Sequence, residues 1–260
     1  NGHIYGSVNT NGTVSGRCSH RSPNMGQIPS TNSPYGAECR ELFTATEGSV
    51  LVGADASGLE LRCLAHYLAS YDKGAYAKIV TEGDVHTSNQ EAAGLPTRSD
   101  AKTFIYAWLY GAGDAKIGSI VNGSADEGSR LKENFMRKNP AVRYLTDAVR
   151  RKVKQYGQLR GLDGRKLPCR SPHSALNLLL QSAGAVIMKQ ALVEFVNTAT
   201  KPYTMHANVH DEVQFSCNAD DADELGQQFV DAIKHAGETL DFDCPLDGEY
   251  SIGLNWKETH

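Results

Sequence analysis

The longest regular pattern in the sequence runs from Ser171 to about Ala199, where apolar side chains recur with helical spacing. Helices of globular domains usually span about 8–20 residues, so a helix of this length is expected to cross the middle of a domain. Two apolar strands follow, at Tyr203–Val209 and Glu212–Cys217, with a short polar turn between them. A long core helix beside a strand pair indicates a mixed helix-and-sheet fold.

The other segments predict strands at both ends of the chain and helices between them. Residues 3–9 and 12–18 are expected to form short strands around a polar turn. Val50–Asp55 is expected to be a buried strand that ends at a carboxylate. Helices are predicted at 58–71, 84–93, 98–111, 126–157 and 219–237, with a hairpin at 160–167. The segment after residue 237 contains mainly turn residues.

Composition places the chain among globular proteins with reduced cysteines. Hydrophobic residues make up 40% of the 260 positions, charged residues make up 22%, and the net charge is −4. These values exclude disordered, collagen-like and membrane classes as descriptions of the whole chain. The six cysteines form no C-x-x-C pair, which favours a reducing cytoplasm over a zinc ribbon or a disulfide scaffold. No apolar run long enough for a membrane span is expected, and no membrane partner is predicted.

The net charge hides a strongly basic segment. Residues 130–170 carry 13 basic side chains against three acidic ones, whereas residues 211–260 carry 13 acidic side chains against two basic ones. A dense basic stretch releases counterions when it contacts phosphates, so it suits a polyanionic partner. A solvated helical surface explains the same charges equally well. Charge alone therefore leaves both interpretations open.

Two aspartates occur where predicted strands end. Asp55 ends the strand that begins at Val50, and Asp211 lies at the junction of the two later strands. Two converging carboxylates would form a hard-oxygen site for Mg²⁺, which suits phosphoryl transfer by two metal ions. An isolated aspartate is more often a turn-forming or capping residue. Sequence spacing alone does not show that Asp55 and Asp211 converge.

A second candidate site is a run at four-residue intervals, made of Arg98, Lys102, Tyr106 and Tyr110. On a helix these side chains form one stripe, with two cations followed by two aromatic rings. Cations at this spacing suit a triphosphate, and aromatic rings suit a sugar or a base. An ordinary amphipathic helix with surface cations and packed tyrosines has the same pattern, so both interpretations remain open at this point.

Three segments resemble, in this order, motifs A, B and C of the DNA polymerase I family (family A), and most closely its bacteriophage branch. They are Asp55-Ala56-Ser57-Gly58-Leu59-Glu60-Leu61-Arg62, the helix from Arg98 to Gly111, and His210-Asp211-Glu212. Supporting segments lie at residues 15–17 with 23–29, at 83–87 and at 181–185. Six ordered segments are far more specific than a single His-Asp-Glu. The resemblance covers essentially the whole chain.

The resemblance implies an α+β fold in which an antiparallel palm sheet carries two catalytic aspartates and a helical fingers subdomain is attached. It divides the chain into palm with motif A at 1–72, mainly fingers with motif B at 73–170, and palm with motif C at 171–260. A complete family polymerase also has a thumb and usually a 3′–5′ exonuclease domain before these segments. Neither is expected here, so no proofreading is predicted and an N-terminal thumb or exonuclease chain is a candidate partner.

The resemblance also implies the metal site and the reaction. Asp55 and Asp211 would bind two Mg²⁺ ions, with Mn²⁺ as an alternative, and the Ala56 carbonyl would complete one coordination sphere. Glu212 would support the site from nearby as a further catalytic residue. A primer 3′-hydroxyl would then attack the α-phosphate of a dNTP. Lys102 would be the catalytic proton donor to the departing pyrophosphate.

Five residues are expected to contact the incoming nucleotide. His86, Arg98 and Lys102 would hold the triphosphate. Glu60 would lie under the sugar and leave no room for a 2′-hydroxyl, while the Tyr106 ring packs against the nucleotide. These expectations follow from the family resemblance and predict a preference for dNTPs over rNTPs.

Five residues are expected to contact DNA. Arg17, Gln181 and His210 resemble residues that contact the minor groove at the primer end, where the acceptor pattern is nearly the same for all base pairs. Tyr110, which is followed by Gly111, would occupy the template-stacking position. The predicted macromolecular partner is therefore a primer–template DNA.

The implied function is template-directed DNA synthesis in the cytoplasm, which is the host cytoplasm if the chain comes from a phage. Two other classes remain open. A noncatalytic nucleic-acid-binding subunit would be expected to have lost Asp55, Asp211 or Lys102, and all three are present. A metal-dependent phosphodiesterase would explain the two aspartates but not the stripe that begins at Arg98.

Overall fold

The computed structural model describes residues 2–260, which form two compact units. Unit 1 contains residues 2–59 and 182–260, and unit 2 contains residues 60–181. The predicted mixed helix-and-sheet class is confirmed. The division at 72/73 and 170/171 concerns functional subdomains, so it remains a prediction.

The described chain contains strands and helices in the following order. The strands are β1 (Ser7–Asn9), β2 (Ser19–Arg21), β3 (Val50–Ala56), β4 (Gln158–Arg160), β5 (Lys166–Pro168), β6 (Tyr203–Val209), β7 (Glu212–Cys217) and β8 (Gly248–Gly253). The helices are α1 (Gly36–Glu41), α2 (Leu59–Asp72), α3 (Ala75–Glu82), α4 (Val85–Ala93), α5 (Arg98–Leu109), α6 (Asp114–Gly118), α7 (Ala125–Lys138), α8 (Pro140–Tyr156), α9 (Ala175–Thr198) and α10 (Ala222–Thr239).

Unit 1 is organised by a four-stranded antiparallel sheet of order β6-β7-β3-β8. Its central strand β3 is almost entirely buried, as its run of small and β-branched apolar residues predicts. Helix α10 packs against β3 and β8. Phe195 of α9 contacts Phe215 of β7 and Phe229 of α10, with ring centroids 5.4 and 5.1 Å apart. The sheet and these helices together enclose the core of unit 1.

Unit 2 is helical apart from the antiparallel pair β4–β5. Its core includes Phe104 of α5, whose ring meets Phe135 of α7 edge-to-face at 5.5 Å. Trp108 contacts the same phenylalanine at 5.3 Å. The hairpin predicted at 160–167 is confirmed, with Leu159 paired to Leu167 and both side chains buried.

The predicted strand at 12–18 is wrong, and β2 lies further along the chain. Residues 10–18 form a loop between β1 and β2 in which Gly16 has a φ of 83°. The Thr13 hydroxyl donates to the Arg17 carbonyl at 3.1 Å. A left-handed residue and a side chain bonded to the backbone turn the chain where strand geometry would have kept it extended.

Helices α1, α3 and α6 and strand β8 were not anticipated. The helix predicted from residue 171 begins at Ala175, after a single 3₁₀ turn at Pro172–Ser174. Within residues 2–260, the segment Pro172–Thr198 is long and apolar enough to cross a membrane by length and composition, contrary to the sequence expectation. Because 61% of its most apolar window is buried, the segment has the burial of a core helix.

Candidate active site

Strand pairing brings Asp55 and Asp211 together in unit 1. Asp55 lies directly opposite Glu212, and the Ala56 amide donates to the Asp211 carbonyl at 3.1 Å. The loop between β6 and β7 has two residues, and the first of them, His210, has a φ of 61°. Two-residue hairpin loops need positive φ to match the strand twist. The turn therefore holds Asp211 at its tip, next to the end of β3.

The electrostatics around Asp55 are those of a crowded carboxylate cluster. Burial, followed by the charges of Glu249, Asp211 and Glu212, raises the pKa of Asp55 to about 6, whereas His260 acts in the opposite direction. Hard oxygen donors in mutual repulsion are a suitable environment for a divalent cation, which would relieve that repulsion. The residues present therefore fit a Mg²⁺ or Mn²⁺ site.

The protein offers few side-chain ligands for a divalent cation at this site. Within residues 2–260, no group of three or more His, Cys, Asp or Glu side chains has the arrangement of a metal site. Mg²⁺ commonly takes one or two carboxylates and fills its other positions with water and substrate phosphates. Asp55 and Asp211 with the Ala56 carbonyl match that incomplete protein set. Their function as ligands remains a prediction.

Glu212 is buried and surrounded by donors. One carboxylate oxygen accepts from Trp256 Nε1 at 2.5 Å and from Gln214 Nε2 at 2.7 Å, and the other accepts from His260 Nδ1 at 2.7 Å. Burial alone would raise the pKa of Glu212, but these hydrogen bonds and the His260 charge lower it overall. Glu212 is thus held as an anion by protein donors, which suits a supporting role beside Asp211.

Three residues of this cluster were missed from the sequence. Arg40 is buried, donates from Nε to the Pro29 carbonyl at 2.9 Å, and has its guanidinium 4.6 Å from the Trp256 ring centroid. An Arg40 terminal nitrogen lies 3.9 Å from Glu212. Trp256 and His260 carry the bonds to Glu212. No motif marks Arg40 or His260, and the one hint was an aromatic residue, Trp256, in a turn-rich segment.

The predicted DNA contacts fall in both units. Arg17 and His210 line one small cavity of about 10 Å³ in unit 1, so the structure brings them together. Tyr110, Gly111 and Gln181 belong to unit 2. Gln181 lies within α9, where its side chain is half-buried. The DNA-binding roles of all five remain predictions.

Helix α5 presents the predicted stripe in unit 2. The Thr97 hydroxyl accepts from the Asp100 amide and caps the helix. Phe104 and Ile105 are buried, whereas Lys102 is exposed. The helix predicted at 98–111 is confirmed over Arg98–Leu109. Along the stripe, Arg98, Lys102 and Tyr110 are exposed and Tyr106 is half-buried.

His86 of α4 lies against this stripe. Burial lowers the pKa of His86, and the charges of Arg98 and Lys102 lower it further. Its ring centroid is 6.4 Å from that of Tyr106. Among the described residues, the buried Nδ1 of His86 has no hydrogen-bond partner. The structure thus brings together four of the five residues predicted to contact the nucleotide.

Asp84 links α4 to the first cation of the stripe. Its carboxylate accepts from the amides of His86 and Thr87, which caps α4, and also from Arg98 Nε at 2.7 Å. The hydrogen bond from Arg98, followed by that from the Thr87 hydroxyl, holds the pKa of Asp84 well below its usual range. The ion pair with Arg98 was not anticipated, because fourteen residues separate the partners.

Glu60 at the start of α2 contacts the end of the stripe. The Tyr110 hydroxyl donates to Glu60 Oε1 at 2.8 Å. Glu60 is therefore held by a residue predicted to stack with the template. Unit 2 joins the predicted sugar-selecting residue and the predicted template residue directly.

The chain matches a known protein family over almost its whole length. The family model described as DNA polymerase family A matches residues 1–258, and the chain belongs to this family. Over its whole length the chain is 43% identical to the DNA-directed DNA polymerase of Enterobacteria phage T3 and 42% identical to that of Escherichia phage T7. It spans about 41% of the length of each of these relatives. Enzymes of this family generally use divalent metal ions.

A solved structure shows the same fold. The POL domain of Pol1 from M. smegmatis, in complex with DNA primer-template and dNTP, matches with a TM-score of 0.86 and 23% identity. The match covers 99% of this chain and 48% of that one. The family and fold expected from the sequence motifs are thereby confirmed.

Proposed function

We propose that this chain carries out template-directed DNA synthesis, in which the 3′-hydroxyl of a primer displaces pyrophosphate from an incoming dNTP. The observation that carries the proposal is the pairing of β3 with β7, which joins Asp55 and Asp211 through the bond from the Ala56 amide. Membership of DNA polymerase family A and similarity to two phage DNA polymerases support it.

Asp55, Asp211 and the Ala56 carbonyl would hold the divalent cations, with two Mg²⁺ as the proposed set and Mn²⁺ as an alternative. When bound, such ions would lower the pKa of the primer hydroxyl and neutralise charge on the leaving pyrophosphate. Glu212, fixed by Trp256 and its other donors, would keep the turn that carries Asp211 in place.

The residues of unit 2 would bind the triphosphate and stabilise the pyrophosphate that leaves when the α-phosphate is transferred to the primer. Arg98 and Lys102 supply fixed positive charge, and Lys102 can deliver a proton to the leaving group. Because burial and these two cations lower the pKa of His86, its imidazole is neutral near pH 7. A neutral His86 would donate one hydrogen bond to a phosphate oxygen.

Sugar selection is proposed to depend on Glu60, with Tyr106 packed against the nucleotide. The Tyr110 hydroxyl restrains the Glu60 carboxylate, which keeps it in one position. A restrained carboxylate excludes a 2′-hydroxyl more strictly than a mobile one, because it cannot move aside to accommodate the extra oxygen.

The proposed partners are a primer–template DNA, dNTPs and an N-terminal portion that supplies a thumb or an exonuclease domain. Arg17, Gln181 and His210 would contact the DNA minor groove, and Tyr110 with Gly111 would contact the template. The proposed location is the cytoplasm of a bacterial host, where the chain would act in DNA replication. The phage relatives and the nearly twofold greater length of the matched polymerase domain motivate these proposals.

Extension of a labelled primer on a template tests the proposal. With Mg²⁺ and dNTPs the full-length protein should add nucleotides, and Asp211→Asn should slow this by ~1,000-fold because the variant lacks one metal ligand. Asp231→Asn on the exposed face of α10 is the matched control and should leave the rate unchanged. Equal activity of wild type and Asp211→Asn would exclude the proposed chemistry.

The same assay separates the other classes. A phosphodiesterase would shorten the labelled strand without dNTPs, and a noncatalytic subunit would bind DNA but leave it unchanged. The grouping of His86, Arg98, Lys102 and Tyr106 in unit 2 favours a nucleotide-consuming enzyme over both.

A further inference from the structure

The loop that carries Arg17, residues 10–18, has a defined internal shape. Its Gly16 amide donates to the Thr13 carbonyl at 3.0 Å, and the Thr13 hydroxyl donates to the Arg17 carbonyl at 3.1 Å. The hydroxyls of Thr13 and Ser15 are 3.0 Å apart. These bonds lie within the loop, so they shape it but do not fix its position on the rest of unit 1.

Lys189 of α9 fixes that position. Its ammonium group donates to the Thr10 carbonyl at 2.7 Å and to the Gly16 carbonyl at 2.6 Å. These carbonyls lie near the two ends of the loop, so one cation closes it and ties it to the helix. Hydrogen bonds from an ionised donor are roughly twice as strong as those between neutral groups. The side chain is half-buried, and its bond to the Gly16 carbonyl is the more shielded of the two.

A second attachment connects the adjoining strand to the turn that carries Asp211. His20 of β2 lies 3.0 Å, through Nε2, from the Asn208 carbonyl of β6. A carbonyl only accepts, so His20 Nε2 is the donor. Asn208 is three residues before Asp211. The Arg17 loop is thus attached both to α9 and to the strand that leads into the turn.

Arg17, Lys189 and His210 meet at one place. They line the same small cavity of about 10 Å³. The position of Arg17 beside His210 therefore depends on the attachment of the loop. The two hydrogen bonds of Lys189 described here both go to backbone carbonyls, so it acts on Arg17 through the loop.

We propose that Lys189 is a positioning residue that holds Arg17 beside His210 so that Arg17 contacts the primer terminus. The proposal rests on the proposed function, because it concerns how that DNA contact is made. Removal of the ammonium group would take its hydrogen bonds from both loop carbonyls and detach the loop from α9. The result would be weaker recognition of the primer end, with little change in the chemistry at Asp211.

Steady-state extension of matched and 3′-mismatched primers by the full-length protein tests this. Lys189→Met keeps the length of the side chain and removes its charge, and should lower kcat/KM on the matched primer ~10-fold, mainly through KM for DNA. The matched-to-mismatched ratio should fall as it does in Arg17→Ala. Lys189→Arg, which keeps the charge, should recover part of the activity. Lys78→Met, on the exposed face of α3, is the control and should behave as wild type.

The double variant gives the sharpest result. If Lys189 acts through Arg17, then Arg17→Ala combined with Lys189→Met should be about 10-fold less efficient than wild type, as each single variant is, rather than ~100-fold. Additive effects, or unchanged discrimination in Lys189→Met, would overturn the proposal. Both results concern DNA recognition and leave the role of Asp211 unaffected.

Hydrogen exchange provides a measurement that does not need activity. Amides in residues 10–18 should exchange ~10-fold faster in Lys189→Met than in wild type or Lys78→Met, because local opening becomes easier. Unchanged exchange in this loop would overturn the proposal even for an active enzyme. If the wild type fails to extend a primer, the proposed function fails, while the exchange data still decide whether Lys189 holds the loop.

Discussion

At Asp55 the chain keeps an ionisable carboxyl group where burial and three other carboxylates raise its pKa. Such a cluster destabilises the folded chain when no cation is bound, because ionised groups repel one another in a partly desolvated place. Nearby Glu212 has the opposite environment, with its pKa lowered by donors from three side chains. The two neighbouring acids therefore differ in their chemical roles. Asp55 suits a bound cation, whereas Glu212 is held by hydrogen bonds from the protein.

The first prediction concerns stability against pH without metal. The pKa of Asp55 is raised from 3.8 to about 6, so its stabilising contribution is complete below about pH 4 and is lost as the pH rises through about 6. Asp55→Asn removes this pH dependence and should stabilise the metal-free protein at pH 8 by ~1 kcal/mol. Solvent screening discounts the ~3 kcal/mol that a pKa displacement of this size would otherwise represent.

Thermal unfolding in EDTA at pH 5 and pH 8 measures this difference. Asp231→Asn on α10 serves as the control and should track the wild type at both values. A wild-type protein that gains stability relative to Asp55→Asn between pH 5 and pH 8 would show that the crowding of Asp55 is not destabilising. Addition of Mg²⁺ should remove most of the advantage of the variant.

Local spacing reveals the stripe from Arg98 to Tyr110 because residues four apart on a helix always share a face. It cannot reveal that Asp55 and Asp211 lie near each other, because this depends on the register of strands that are far apart in the sequence. The family motifs supplied that expectation. The contacts of Arg40 and His260 with Glu212 had no such signal, since neither residue belongs to a motif.

At the scale of elements, the C-terminal segment of the chain packs closely against strand β3 at Gly53. A Cβ added at Gly53 would lie 2.1 Å from the Thr259 carbonyl oxygen and 2.3 Å from Gln214 Nε2. The side chain of Gln214 also donates to Glu212. Glycine at position 53 thus lets the segment that carries Trp256 and His260 pack directly on the sheet.

The second prediction is that Gly53→Ala destabilises the protein by about 3 kcal/mol, the upper end of the range for overpacking. The backbone oxygen of Thr259 cannot move aside without displacing the bonds to Glu212. Chemical denaturation measures the change. Gly113→Ala is the control, because nothing lies within 4 Å of a Cβ added there. Equal stability of the two variants would mean that the segment after β8 moves freely.

The third prediction concerns helix α8, which buries Val142, Leu145 and Val149 and leaves its cations partly or fully exposed. Four of these cations are Arg150, Arg151, Lys152 and Lys154. If they bind DNA phosphates, replacing all four by Gln should reduce the slope of log affinity against log salt by ~0.9 for each phosphate that the protein no longer neutralises. Fluorescence anisotropy of a labelled primer–template at several salt concentrations measures the slope.

A control for this helix replaces three lysines outside α8 by Gln: Lys78 and Lys234, which are exposed, and Lys201, which is half-buried. This control should leave the slope unchanged. If the α8 variant keeps the wild-type slope as well, the basic face is a solvated surface.

Elements with a strong local pattern were predicted, and elements fixed by distant partners were not. Helix α9 and strands β3, β6 and β7 follow from their apolar runs. Strand β8 contains two glycines and alternates only weakly, so it resembles a turn until β3 supplies the register. From its local sequence, the segment 10–18 resembles a strand. Lys189, which holds it as a loop, is more than 170 residues away, so the local pattern does not reveal the loop.

At the scale of the molecule, the two units differ in how they can form. Unit 2 is one continuous stretch, 60–181, with an aromatic core around Phe104 and Phe135. Unit 1 combines two separate stretches, because β3 comes from the first and its neighbours β7 and β8 come from the second.

The fourth prediction follows from this difference. A fragment of residues 60–181 should fold alone and unfold cooperatively, because its core is formed within it. A fragment of residues 182–260 should not, since it keeps β6, β7 and β8 but lacks the strand that lies between β7 and β8. Circular dichroism during heating distinguishes the two. A cooperative transition in the second fragment would contradict the central place of β3.

The position of β3 in the sequence also determines when its sheet can form during synthesis on the ribosome. Roughly 150 residues separate β3 from β7 in the sequence. At a translation rate of about 5–20 residues per second, β7 is therefore synthesised ~10–30 s after β3. During that interval the nascent chain exposes an apolar strand with two unpaired edges, while the whole of unit 2 is translated. Unit 2 can fold first. The incomplete sheet of unit 1 would then depend on chaperones until β7 and β8 have been synthesised.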